Sequence, residues 1–498
     1  MPDKDTLKRI DEWIDSHKEE YVDDLARLVA VPSAANTGVA PGEFPFGEGS
    51  AAALKTAKEL AEGYGFEVEN RDTFCLVAHV GKGSEKVGIF GHLDVVPCGS
   101  DWQYPPYALT RLDDGDTVVG RGVMDDKGPL WASVYAVRCL KELNLLPRRA
   151  VEIFMGGDEE CGMEDIKHYK ATSKELPVVS FTPDSAYPIC HGEKGIMRFH
   201  FSVPNEDSNI VSFNGGTVRN VVAGHAELVL SGVSFDEAAE KLAETERVSV
   251  QRDGENIKIA AEGASVHAST PENGINAIGI AANAALKAGL AKGGAELALG
   301  FIARVLSDYN GKSIAAPFED EPSGKLTHVG GVIRSENGRL DLCIDVRYPV
   351  TCKGGDILAA VTEFAGKYGV SVGDVTDSAP LYIPADSALV GLCMETVGEV
   401  FPEKNWKPYT MGGGTYARNM PNAYALGAED PDFVSPFGLF RGDIHQPDEC
   451  ASIAQLVKTM KVYARLLLRL DEFEFRHRES VFCRKKRSCP VLTIGGFM

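Results

Sequence analysis

Short apolar runs alternate with helical stretches over the first 190 residues, and this rhythm restricts the fold more than any other property of the chain. The runs are 74–80, 87–90, 151–155 and 178–181. Helical spacing marks 5–30, with Leu7, Ile10, Trp13 and Ile14, then Val22, Leu25 and Leu28; a second helix is expected at 48–64 and a third after Pro129. Strands and helices in alternation imply an α/β domain whose central, mostly parallel sheet is flanked by helices. In such sheets the ligand site lies beyond the carboxyl ends of the strands.

The pattern changes after Gly192. Period-two alternation appears in Arg198-Phe-His-Phe-Ser202 and Arg339-Leu-Asp-Leu-Cys-Ile-Asp345, with hairpin signals at Asp253-Gly254 and Asn337-Gly338. Helices are expected at 234–244 and 354–368, and an Ala-rich helical connection at 276–309 separates two weakly repeated β-α-β-β stretches. The α/β texture resumes at Ser387 and ends in a helix over 451–471. This reading divides the chain into a catalytic domain (1–190 and 385–471), an α+β domain inserted at 191–384, and a poorly ordered tail at 472–498. The tail carries the basic run Arg484-Lys-Lys-Arg487.

A chain of 498 residues with net charge −21 does not suit non-specific binding to nucleic acid or anionic membrane. No apolar stretch reaches the length of a membrane span, and the charged N-terminal stretch reads as a helix, not a signal peptide. Eleven scattered cysteines with no C-x-x-C point to free thiols and a cytoplasmic location.

Five polar clusters follow predicted strands or stand where the α/β texture has resumed. They are His92-Leu-Asp94, Asp125-Asp126-Lys-Gly-Pro129, Asp158-Glu159-Glu160, Thr182-Pro-Asp184 and His445 in Ile-His-Gln-Pro-Asp-Glu. Each has a plain structural explanation on its own: a satisfied histidine, a capped loop, a solvated acid pair. Together at one sheet edge, adjacent carboxylates repel unless a cation or shared proton offsets them. Nitrogen and oxygen donors without thiolate suit zinc, manganese or cobalt, and the surplus of donors over one tetrahedral ion points to two ions.

In order, these clusters resemble the signature of the co-catalytic metallopeptidases of family 20, which include carnosinases, acetylornithine deacetylase and the bacterial dipeptidase V group. The resemblance spans roughly residues 5–470. It implies that His92 and Asp184 bind one divalent ion, that Glu160 and His445 bind the other, and that Asp125 bridges them. Zinc is the first expectation, manganese or cobalt the alternatives. Asp94 would orient His92, and Glu159 would be the general base toward a water activated at the metal pair. A cis peptide bond is implied after Asp125, so that Asp126 serves geometry more than metal binding.

The inserted domain is implied to be a lid of two ferredoxin-like units, as in the dipeptidase V and Xaa-His dipeptidase branch, where the second unit replaces a partner subunit. His267 then matches a lid histidine that stabilises the oxyanion in cis, with Asn220 as a second candidate. Arg347 matches a clamp for the substrate carboxylate, since its planar fork binds carboxylates bidentately. Gly413, Gly414 and Thr415 in the glycine-rich loop are candidates for the same carboxylate. The implied activity is a monomeric, metal-dependent dipeptidase acting on peptides with a free amine and a free carboxylate. An N-acyl amino acid amidohydrolase and a catalytically silent metal-binding scaffold stay open as alternatives.

Overall fold

A computed structural model describes residues 2–36, 38–40, 42–438 and 440–474. The chain forms two compact units. One comprises the described residues up to His191, Ile383–Tyr409 and the described residues from Gly414 on; the other comprises Gly192–Tyr382 and Thr410–Gly413. Thr410–Gly413, expected with the returning catalytic segment, thus groups with the second unit.

The first unit is built on a mixed sheet. Its order is Glu67–Arg71, Cys75–Val80, Ala150–Gly156, Lys86–His92, Val179–Thr182, Ala423–Ala425 and then Cys190–Glu193. The four strands from Ala150–Gly156 to Ala423–Ala425 are mutually parallel, while the flanking pairs are antiparallel. The inner strands are buried along almost their whole length, which explains why they read as continuous apolar runs. Helices Glu48–Gly63, Lys127–Glu142 and Ile453–Glu472 contribute to the same apolar core, where Trp131, Tyr135, Tyr463 and Leu466 are fully buried with Ile89 and Ile153.

The predicted helix over 5–30 is two helices, Lys4–Ser16 and Lys18–Val29, broken at His17. His17 stacks on Trp13 with ring centroids 3.7 Å apart, and its backbone leaves the helical region. The last helix runs to Glu472; the rest of the expected tail, 475–498 with its basic run, lies outside the described residues.

The second unit holds one continuous antiparallel sheet of eight strands. Four of them, Val248–Asp253, Asn256–Glu262, His225–Leu230 and Ile210–Gly215, form one half. Thr327–Glu336, Arg339–Tyr348, Gly195–Pro204 and Ser371–Ser378 form the other. The halves join where Gly215 pairs with Ile333. Gly195–Pro204 comes first in sequence yet pairs in the second half, so the first half is inserted within the second. Its alternation explains this placement: Met197, Phe199 and Phe201 face a core shared with Leu342, Ile344 and Phe364. The Ala-rich connection forms helices Ala277–Lys287 and Gly294–Val305.

Candidate metal centre

Parallel strands carry the expected donors to one edge. His92 is the last residue of its strand, Glu159 and Glu160 follow Ala150–Gly156 by three and four residues, and Asp184 follows Val179–Thr182 by two. Asp125 stands in the turn that leads into helix Lys127–Glu142, and His445 precedes the short strand Cys450–Ser452.

Two groups of donors form, and they share one residue: His92, Asp125 and Asp184 in the first, Asp125, Glu160 and His445 in the second, with the ligand atoms of each within 4.8 Å of one another. His92 Nε2 lies 3.1 Å from Asp125 Oδ1 and 3.9 Å from Asp184 Oδ2. His445 Nε2 lies 2.8 Å from Asp125 Oδ2 and 3.1 Å from Glu160 Oε1. The two carboxylate oxygens of Asp125 thus face opposite imidazoles. Glu159 sits next to Glu160, and its buried Oε1 has no hydrogen-bond partner.

The electrostatics match that crowding. Burial, and then the Asp125 charge, pushes Asp184 up to about 7. Burial first and Asp184 second hold Glu159 well above the carboxylate range, and burial with Asp125 raises Glu160. Burial works to lower His445, but its hydrogen bonds to Asp125 and Glu160 outweigh that and push it up to about 11. Against burial, hydrogen bonds from His445 and then His92 hold Asp125 below the usual range. The anionic groups therefore compete for positive charge, which two divalent cations on oxygen and imidazole donors would supply. The donor set fits such ions.

Several supporting residues were not singled out by sequence. Asp94 was expected to orient His92, yet the nearer acceptor for His92 Nδ1 is the Asp94 backbone oxygen at 2.9 Å, with the carboxylate at 3.5 Å. The carboxylate instead accepts from the backbone amides of Glu159 and Glu160, each at 3.1 Å. One residue thereby ties the strand of His92 to the loop of Glu159 and Glu160. The Asp125–Asp126 peptide bond is cis, and Asp126 Oδ2 accepts from the His92 amide at 3.1 Å.

Glu449, four residues after His445, is fully buried and accepts from the amides of Met124 (2.9 Å), Asp125 and Gly122 (3.1 Å each) and from Arg121 Nη1 (2.7 Å). It links the loops that carry the two donors shared by one ion. Asp165 accepts from the amides of Gly157 (2.8 Å) and Asp158 (3.0 Å) and from the Tyr416 hydroxyl. A Cβ at Gly156 would run into Tyr416 and Asp165, so glycine is required there. Adjacency to the motifs was the only sequence signal for Glu449 and Asp165. Glu429, backbone-paired with Ala186 beside Asp184, is pushed up to about 8 by burial and then by Asp125 and Asp184.

The remaining expected residues divide between the units. In the second, Val221 and His267 form a backbone bridge, and His267 Nε2 lies 3.4 Å from Asn220 Nδ2. His267 Nδ1 meets Ser269 Oγ at 2.8 Å. Arg347 is buried; its Nε donates to Asp345 Oδ1 at 2.6 Å and its Nη1 to the Gly412 carbonyl at 2.9 Å. Gly413 belongs to that unit, whereas Gly414 and Thr415 belong to the first. Thr415 is buried, and its hydroxyl caps the short helix Tyr416–Asn419 by accepting from the Ala417 amide at 3.2 Å.

Comparison with known proteins places this geometry in context. The sequence profile of peptidase family M20/M25/M40 matches residues 88–469. A Bacillus subtilis (strain 168) protein named as a dipeptidase, YtjP, is 31% identical over 472 residues, covering 91% of this chain and 97% of the relative. The Beta-Ala-Xaa dipeptidase of Lactobacillus delbrueckii subsp. lactis is 29% identical over 482 residues, covering 93% and 98%. The crystal structure of human carnosine dipeptidase 1 shares the fold at a TM-score of 0.54 and 16% identity, covering 94% of this chain and 100% of that one.

Proposed function

The chain belongs to peptidase family M20/M25/M40, and from that premise we propose that it hydrolyses dipeptides bearing a free N-terminus and a free C-terminal carboxylate. The observation that carries this reading is the pair of donor groups sharing Asp125, with the unpartnered carboxylate of Glu159 beside them. His92 and Asp184 would hold one divalent ion, Glu160 and His445 the other, with Asp125 a donor in both groups. The ions, zinc or else manganese or cobalt, supply Lewis acidity and make water a nucleophile at neutral pH.

Glu159 takes the proton of the attacking water and returns it to the leaving amine. His267, steadied by Ser269 and next to Asn220, is the donor toward the carbonyl oxygen as negative charge develops there. Arg347 receives the substrate carboxylate. The free amine is met by acidic groups near the metal donors. The relatives named as dipeptidases support this substrate class.

We read the second unit as the lid and the protein as a monomer, because both four-stranded halves are present in one chain. Light scattering on the metal-loaded protein tests the monomer. Cys75, Cys98, Cys139, Cys161, Cys343, Cys393 and Cys450 are free thiols, in keeping with a cytoplasmic location, and no described helix is long and apolar enough to cross a membrane.

The deciding experiment is hydrolysis of a dipeptide panel beside N-acetylated amino acids, after chelation and again with zinc or manganese restored. Cleavage of free dipeptides alone, lost on chelation and recovered with metal, is the expected result. Cleavage of the acetylated set would move the activity to an N-acyl amino acid amidohydrolase. Metal binding without turnover would leave a silent scaffold.

A further inference from the structure

The strand Arg339–Tyr348 sends Leu340, Leu342, Ile344 and Val346 into the apolar core of the second unit. Alternation places Asp341, Cys343, Asp345 and Arg347 on the opposite face. On that face Asp345 stands directly across from Arg198 of the neighbouring strand. Asp345 has no solvent exposure, and a buried carboxylate persists only where it is paired and hydrogen-bonded.

Both of its oxygens go to guanidinium groups. Oδ1 accepts from Arg347 Nε at 2.6 Å and Oδ2 from Arg198 Nε at 2.7 Å. Arg347 is held a second time, through Nη1, by the Gly412 carbonyl at 2.9 Å. The N–H groups of a guanidinium lie in one plane, so acceptors at Nε and at one Nη fix both its plane and its rotation. A fork fixed in advance binds a carboxylate without first losing side-chain freedom.

We propose that Asp345 is a positioning residue for recognition of the substrate's C-terminal carboxylate: it sets the orientation of Arg347 and ties Arg198 to the same anchor. The inference rests on the reading above, in which Arg347 meets that carboxylate. Asp345 itself does not touch the substrate. Its carboxylate is shared by both arginines, one oxygen to each, which fixes the Arg347 fork and ties Arg198 to the same anchor.

The test compares the metal-loaded full-length wild type with Asp345→Asn on one good dipeptide and on the C-terminal amide of that dipeptide. Asparagine keeps the shape of the side chain and loses its charge. KM for the free dipeptide is expected to rise about tenfold or more, the scale of a lost charge-assisted hydrogen bond, while kcat stays within about twofold. Parameters for the amide, which offers no carboxylate, should not change. Partial recovery in Asp345→Glu would support the role. An equal loss on both substrates, or a fall in kcat at unchanged KM, would overturn it in favour of a purely structural residue.

If Asp345→Asn does not fold, Arg347→Lys supplies the second reading, because lysine keeps the charge and lacks the planar fork. The same KM-specific loss is expected, and wild-type kinetics in that variant would show that a fixed fork is not needed. The wild-type arm separates the two levels of the argument. No cleavage of free dipeptides sinks the proposed function, whereas cleavage with an unchanged KM in Asp345→Asn sinks only the positioning role.

Discussion

Two buried clusters of charge, one in each unit, are balanced in opposite ways. At the edge of the first sheet, Asp125, Glu159, Glu160 and Asp184 crowd around two imidazoles, and three of these carboxyls are pushed toward the protonated form. On the second sheet a single carboxylate, Asp345, is shared by Arg198 and Arg347. The first cluster has an excess of negative groups and is completed by cations. In the second, two guanidinium groups share one carboxylate, and the substrate carboxylate is its proposed complement. A dipeptidase needs both, one for the chemistry at the scissile bond and one to register the end of the peptide. The contrast can be broken from either side.

The largest effect is expected from metal removal. Chelation should abolish dipeptide hydrolysis, and zinc or manganese should restore it, read out as turnover beside metal content. Next comes Glu159→Gln, which should lower kcat by about 10²–10⁴-fold, the usual contribution of general acid–base catalysis, while leaving metal stoichiometry intact. If activity and metal are lost together, Glu159 is a donor and not a base. Glu449→Gln acts one step out. By loosening the turn that carries Asp125, it should weaken metal affinity by about 10–100-fold, measured by competition with a chromophoric chelator.

The smallest effect concerns pH and stability. Asp184 and Glu429 have folded-state pKa values of about 7 and 8, above their ordinary values of 3.8 and 4.5. The folded protein therefore holds these protons more tightly than the unfolded chain does. Their stabilising contribution is full below about pH 4 and is lost as pH rises toward 8. The metal-free protein should melt at a lower temperature at pH 8 than at pH 5, and bound metal should shrink that difference. A metal-free melting temperature that rises across this window would contradict the anionic character of the cluster.

The sequence and the structure speak to different parts of this comparison. The donors His92, Asp125, Glu160, Asp184 and His445 were legible because short motifs after strands survive as local patterns, and a parallel sheet brings strand ends to one edge. Glu449 and Asp165 were not legible. Their work is to accept backbone amides of other segments, and an acid that does so looks in sequence like any other acid.

The alternation of strand and helix and the change to period-two strands after Gly192 were determined by the sequence alone, because each depends on spacing along one stretch of chain; the donor residues were named through the family resemblance. Only the tertiary structure decided that Gly195–Pro204 completes the far half of its sheet, that Asp125 faces both imidazoles, and that Asp345 is shared by two arginines. Each of these joins residues distant in the chain. Hydrophobic burial and the pairing of buried polar groups select such contacts only when the whole fold closes.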